Sequence, residues 1–452
     1  MRYETVVAGG LLVTGPGVLR GYLGINDGRI AAISEDPLTG DDVVDARDRT
    51  VLPGAVDLHV HFNEPGRTDW EGWGPGSRAA AAGGVTTVVE MPLNCLPPVT
   101  TVKALQTKVA AAEGKSMVDY ALWGGLITDN REHLASLAAA GVIGFKAFMS
   151  HSSTEEFTHV EDGVLFDGLQ RLRDLDQFLA VHAESNAITQ DRMRRLQADG
   201  RRDRWAWGEA RPPVAELEAI HRALFLAQQA GCRLHIVHMS LPEGAEMIHA
   251  ARSRGQAVTV ETCGHYLALT DDDFVRLGPV AKCAPPLRDR ARQLGLWEAV
   301  LGGRIDCITS DHSPCPIEDK ERGNDDVWAA WGGIAGIQTL VPLMLTEGVL
   351  ERGLSLERFT ALMSTNPAKI AGLWPRKGEI RIGGDADLLL VDLQRVWRVE
   401  PSWLYSRHPH SPFIGRHMKA WIERVFVRGR TIALEGRITG DPSGLWVRPA
   451  RC

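Results

Sequence analysis

The sequence lacks any apolar run near the roughly 20 residues that span a bilayer, so a membrane-embedded protein is not expected. It also lacks a basic excess. Lys and Arg number 50 against 57 Asp and Glu, and the net charge of −7 gives no global pull toward nucleic acid or anionic lipid. Its seven cysteines are odd in number and form no CxxC pair, which fits free thiols in a reducing cytoplasm. The first residues, MRYETVVAGG, carry Glu4 and no long apolar core before a cleavage site, so export is not expected. There is no low-complexity tract. What is present is ordinary globular composition, 44% apolar and 24% charged, with chain enough for a large core.

Two styles of sequence alternate. Short β-type runs at Thr5–Val7, Leu11–Val13 and Ile30–Ile33, then again at Ala386–Val391 and Ile422–Val427, sit between Gly, Asp and Pro. They predict a small β-sandwich built from both chain ends, residues 1–52 and 376–452. Between them, eight apolar runs alternate with helical stretches: Ala55–Phe62, Val85–Met91, Val118–Leu126, Val142–Met149, Phe178–Glu184, Arg233–Ser240, Ala257–Thr262 and Ile305–Ser310. Helices are expected at Val102–Glu113, Arg131–Ala140, Ala215–Ala230 and Gly244–Ser253. Such alternation over residues 53–375 predicts an α/β fold, a (β/α)8 TIM barrel of parallel strands. One basic stretch, Arg192 to Arg204 followed by Trp205 and Trp207, reads as a solvated insertion after the fifth strand or a subunit contact.

The chemistry starts at Asp57-Leu58-His59-Val60-His61. Alternate residues of a strand share a face, so His59 and His61 point together and can offer two imidazole lone pairs to one divalent ion. His182 ends the fifth run, His238 the sixth and Asp311 the eighth, while Lys146 lies near the end of the fourth. Any one of these is commonly a satisfied core or surface residue. Together, on the C-terminal rim where barrel enzymes do chemistry, they make a candidate site. Lys146, among Gly144, Phe145, Ala147 and Phe148, is expected to be buried, and burial beside positive charge lowers an amine's pKa. A neutral amine can add CO2, and the resulting carbamate (N6-carboxylysine) could bridge two ions.

These residues resemble the cyclic amidohydrolases, whose pattern is His-x-His, a carbamylated Lys, two further His and an Asp around two metals. The likeness runs through His59-Val60-His61-Phe62-Asn63-Glu64-Pro65-Gly66-Arg67, Met91-Pro92-Leu93-Asn94, Lys282-Cys283-Ala284-Pro285-Pro286-Leu287-Arg288, Gly332-Gly333-Ile334-Ala335-Gly336 and Ser411-Pro412-Phe413-Ile414-Gly415-Arg416. The resemblance implies that His59, His61, Lys146 and Asp311 hold the more buried ion, and Lys146, His182 and His238 the other. It implies two divalent metals, zinc first with cobalt, iron or manganese as alternatives, and CO2 as the source of the carbamate. Asp311 would carry the proton, as base and then acid. By the same likeness the protein would be a homotetramer acting on a small cyclic ureide.

Within that family, an Arg two residues after the second His grips a carboxylate in dihydroorotases. Here that position is Asn63, which suits a neutral ureide or hydantoin ring. Hydantoinases use a pocket Tyr, and none lies between Lys146 and His182. Asn63 and Asn94 are therefore expected substrate contacts, joined by main-chain groups near Cys283 and Gly332. His265 is expected beside the metals rather than on them. Strand parity places His235, three residues before His238, on the opposite face in ordinary packing.

Overall fold

The computed structural model describes residues 2–450. The eight apolar runs become barrel strands: Ala55–Val60, Val85–Glu90, Asp119–Leu122 continued by Gly124–Gly125, Phe145–Phe148, Phe178–His182, Arg233–Ile236, Val258–Cys263 and Cys307–Thr309. Neighbours pair in parallel from the first to the third and from the third through to the eighth. The barrel closes where Val60 bridges His312 and the His61 N–H donates to the His312 carbonyl at 2.7 Å. Every residue of the first two strands is buried, as expected for a parallel sheet filled inside and covered by helices outside. The helix Pro213–Ala230 shows how the cover forms. Ala215, Ala219, Ile220, Ala223, Leu224, Ala227 and Ala230 make one buried stripe, Pro213 suits the first turn, and Gly231 at φ 69° closes the last.

The two ends of the chain share one nine-stranded sheet. Leu388–Asp392 from the C-terminal part pairs with Thr50–Pro53 from the N-terminal part, which in turn pairs with Arg2–Thr14. Val7, Leu12, Leu23, Ile30, Leu388, Leu390 and Phe426 enclose its own core. The runs Thr5–Val7 and Leu11–Val13 are one strand rather than two. The register against Gly17–Asn26 slips between Val7 and Gly10, with Gly9 at φ 76°, so a bulge interrupts the apolar pattern without ending the strand. Beyond Ile438 the chain returns to the barrel, where Leu445 and Val447 exchange backbone hydrogen bonds with Tyr120 at 2.9 and 2.8 Å. No helix among the described residues is long and apolar enough to cross a membrane.

Candidate metal centre at the C-terminal rim

All six expected ligands meet at the C-terminal ends of the strands, and all are buried. His59 and His61 present Nε2 to the same Asp311 oxygen, at 3.3 and 3.4 Å. The three form a cluster whose ligand atoms lie within 4.8 Å of one another. His182 Nδ1 and His238 Nε2 are 2.9 Å apart, and the His59 ring lies 5.3 Å from that of His238. Lys146 Nζ stands 5.1 Å over the Phe148 ring and has no hydrogen-bond partner among the described residues. The backbone is strained at this rim: His238 has φ 35° and Asp311 φ 43°, values a side chain with a Cβ adopts only when its surroundings hold it there.

The electrostatics suit cation binding. Burial lowers the Lys146 amine to about 7, and it lowers His61 to about 4. It also lowers His182 and His238, whose neighbours include Lys146. Burial alone would raise Asp311, but His59 and His61 hold it down at about 2, so it stays ionised. The rim thus gathers imidazole lone pairs, one carboxylate and an unpartnered amine. These donors fit one or more divalent ions, and a buried amine without a partner is hard to explain otherwise.

The four expected substrate contacts fare differently. Asn63, at φ 63°, donates to the Pro314 carbonyl at 3.2 Å, while its Oδ1 is buried without a partner among the described residues. The Asn94 amide meets His61 Nδ1 at 3.2 Å, so it braces a ligand. The Cys283 carbonyl takes the Trp207 indole N–H at 2.8 Å. Gly332 lines a cleft of about 370 Å³, together with Trp70, His151, Arg211, Lys282 and Trp331. A larger hollow, about 880 Å³, opens at the other end of the barrel near Val142, Phe178 and Arg233, away from the ligands.

His265 is buried next to Tyr266, and its Nε2 has no partner among the described residues. Tyr266 donates its hydroxyl to the Pro285 carbonyl at 2.8 Å. The parity argument for His235 fails. The strand ends at Ile236 and the left-handed turn at His238 swings the chain round, so His235 also faces the barrel interior, with Nε2 3.2 Å from Glu261. Glu184, Arg211 and Glu261 went unnoticed in the sequence. Glu184 lies 2.8 Å from His182 Nε2 and is paired with Arg211. Only the His-x-Glu spacing at His182 could have signalled it. The basic stretch is solvated and paired: Arg195 with Asp191, Arg201 with Asp203 and Glu209, Arg202 with Asp326.

A family model for the amidohydrolase family matches residues 50–432. The allantoinase of Rubrobacter xylanophilus is 47% identical over 450 residues, covering 99% of this chain and 98% of that one. The allantoinase of Deinococcus radiodurans is 41% identical over 450 residues and covers 99% of each. Among solved structures, the L-hydantoinase (dihydropyrimidinase) from Arthrobacter aurescens superposes with a TM-score of 0.96 at 39% identity, over 99% of this chain and 100% of that one. Motif, geometry and full-length likeness agree, and the chain belongs to the amidohydrolase family.

Proposed function

We propose that this protein hydrolyses the hydantoin-ring amide of allantoin to give allantoate, a step of purine and ureide breakdown that releases nitrogen for use. The observation that carries the reading is the convergence of His59, His61, Lys146, His182, His238 and Asp311 on one buried rim, in a chain 41–47% identical to allantoinases over nearly its whole length. His59, His61 and Asp311 would hold one divalent ion and His182 with His238 a second, with a carbamate on Lys146 between them. When bound, such ions supply Lewis acidity, acidifying water and polarising a carbonyl.

The remaining work falls to the chain. The neutral Lys146 amine adds CO2 and releases a proton, leaving an anion that would hold metals where an ammonium would repel them. Asp311, ionised at neutral pH, accepts the water proton at a carboxylate oxygen and returns it to the departing ring nitrogen. The unpartnered Asn63 Oδ1 accepts a ring or ureido N–H, and no cation stands at that position to demand a substrate carboxylate. Trp70 and Trp331, 4.7 Å apart edge to face, wall the cleft against water. Zinc as the resident metal, a homotetramer and a cytoplasmic location belong to this proposal. The division into residues 1–52 with 376–452 and residues 53–375 belongs to it too; residues 1, 451 and 452 lie outside the described residues. The six described cysteines, all free and buried, accord with a reducing compartment.

The likeness to a hydantoinase (dihydropyrimidinase) at 39% identity supports a second reading, in which hydantoin itself or dihydrouracil is the better substrate. Metal-reconstituted enzyme offered allantoin, hydantoin, dihydrouracil and dihydroorotate in parallel separates them. Allantoin should be turned over with the highest kcat/KM. A preference for hydantoin or dihydrouracil would transfer the enzyme to the second reading, and turnover of dihydroorotate alone would remove both.

A further inference from the structure

Beneath the rim, two fully buried carboxylates touch the outer nitrogens of proposed ligands. Glu261, on the seventh strand, puts Oε1 2.5 Å from His59 Nδ1, and the same oxygen accepts the His238 backbone N–H at 3.1 Å. Its other oxygen lies 3.2 Å from His235 Nε2, and His235 Nδ1 is in turn 2.7 Å from the Thr259 hydroxyl. Glu184 places Oε2 2.8 Å from His182 Nε2 and is locked by Arg211, which lines the cleft.

An ionised carboxylate only accepts hydrogen bonds. His59 must therefore carry a proton on Nδ1, which leaves Nε2, 3.3 Å from Asp311, as the nitrogen for an ion. The proton of His182 must sit on Nε2, leaving the Nδ1 lone pair toward His238. The two ligands turn opposite nitrogens into the rim, Nε2 of His59 and Nδ1 of His182. Each carboxylate already accepts a further bond, Glu261 from the His238 backbone N–H and Glu184 from Arg211, so each acts as an acceptor toward its histidine.

Resting on the proposed metal centre, we infer that Glu261 and Glu184 are positioning residues, and that Glu261 ties the two halves of the centre together. Glu261 orients a ligand of one ion through His59 and the backbone of a ligand of the other through His238. Glu184 acts on the second half alone, through His182, and connects it through Arg211 to the cleft. Neither carboxylate touches substrate. A purely structural role for these groups would give no reason for such an asymmetry.

The ring protons are read first in the metal-free wild-type chain, by NMR of 15N-labelled histidines. His59 should carry a proton on Nδ1 and His182 one on Nε2, whatever the state of the other nitrogen; a bare nitrogen at either position overturns the inference. Zn2+ alone is then titrated into wild type, Glu261→Gln and Glu184→Gln, with metal content measured after dialysis. Loss of such partners costs about 10- to 100-fold in metal affinity. Glu261→Gln should weaken both ions by about tenfold or more. Glu184→Gln should weaken one and leave the other at its wild-type value. Two ions bound by Glu261→Gln with wild-type affinity would refute the bridging role. If wild type itself took up no Zn2+, the metal-centre reading would fail instead, while the NMR result would still judge the ring protons. The NMR experiment also stands if either variant does not fold.

Discussion

At the scale of single residues, Lys146 concentrates most of the chemistry into one atom. Its amine has apolar Phe148 beneath it, no partner among the described residues, and a pKa lowered by burial to about 7. Lys146→Ala should lose activity and metal together and regain part of both when a short-chain carboxylic acid is added with Zn2+. Full activity without the supplement would show that no carbamate is needed. The direction of the pKa gives a second expectation. The amine is cationic below about 7 and neutral above it, and only the neutral form adds CO2. At a fixed concentration of free CO2, a carbamate signal in 13C NMR of the metal-free protein should rise steeply from pH 6 to pH 8, by more than the roughly tenfold gain in neutral amine, because carbamate formation also releases a proton. A flat profile would count against a titrating lysine. His61, whose pKa lies at about 4, is already neutral across that range and does not confuse the reading.

At the scale of elements, the loop that carries Gly332 is held by two lysines without carboxylate partners among the described residues. Lys282 donates to the Val327 and Ala330 carbonyls at 2.8 and 2.6 Å and stands 4.0 Å over the Trp207 ring. Lys320 donates to the Trp331 carbonyl at 2.9 Å and to that of Gly333. Burial lowers their pKa values to about 7 and about 8. Because the pair fixes main-chain groups at the cleft, Lys320→Met should raise KM by about tenfold while metal content stays at the wild-type level, since a small misplacement at a binding wall costs up to about 100-fold. An unchanged KM would mean the loop holds itself. The eight strands around this loop were readable from runs such as Phe178–Val181, because a strand buried on both faces carries apolar residues at consecutive positions. The strand Gly17–Asn26 was not, since Gly17, Gly21 and Gly24 break its apolar pattern. Nor was Thr39–Asp45, an exposed strand rich in Asp.

At the scale of the whole molecule, the barrel and the sheet from the chain ends are joined by a buried ionic cluster. Lys377 Nζ lies 2.5 Å from Asp119, 2.9 Å from Asp385 and 2.7 Å from Asp387, and Arg428 pairs with Asp119 from the other side. Asp119 begins the third barrel strand, whereas Asp387 and Arg428 flank strands of the sheet. Burial opposes the charge on Lys377, yet the three carboxylates raise its pKa above the ordinary lysine range. Removing one member leaves buried charge uncompensated, at a typical cost of about 3–5 kcal/mol. Lys377→Met should therefore lower the thermal midpoint sharply while the folded fraction keeps normal metal content. An unaltered midpoint would show that the carboxylates take up protons without penalty.

His59 and His61 could be placed on one face from sequence because side-chain alternation in a strand is a local property. His182 and Asp311 could be placed at strand ends because each closes an apolar run, and Lys146 because it lies near the end of one. What no local pattern contains is which strand lies opposite which, and at what height. The reach of Glu261 to His59, 202 positions away, depends on barrel closure and register. So do the meeting of His182 with His238 and the grip of Lys377 on Asp119. His235 shows the boundary most clearly. Its parity was countable, but the left-handed turn at His238 is imposed by packing around the rim, and that turn set which way both rings point.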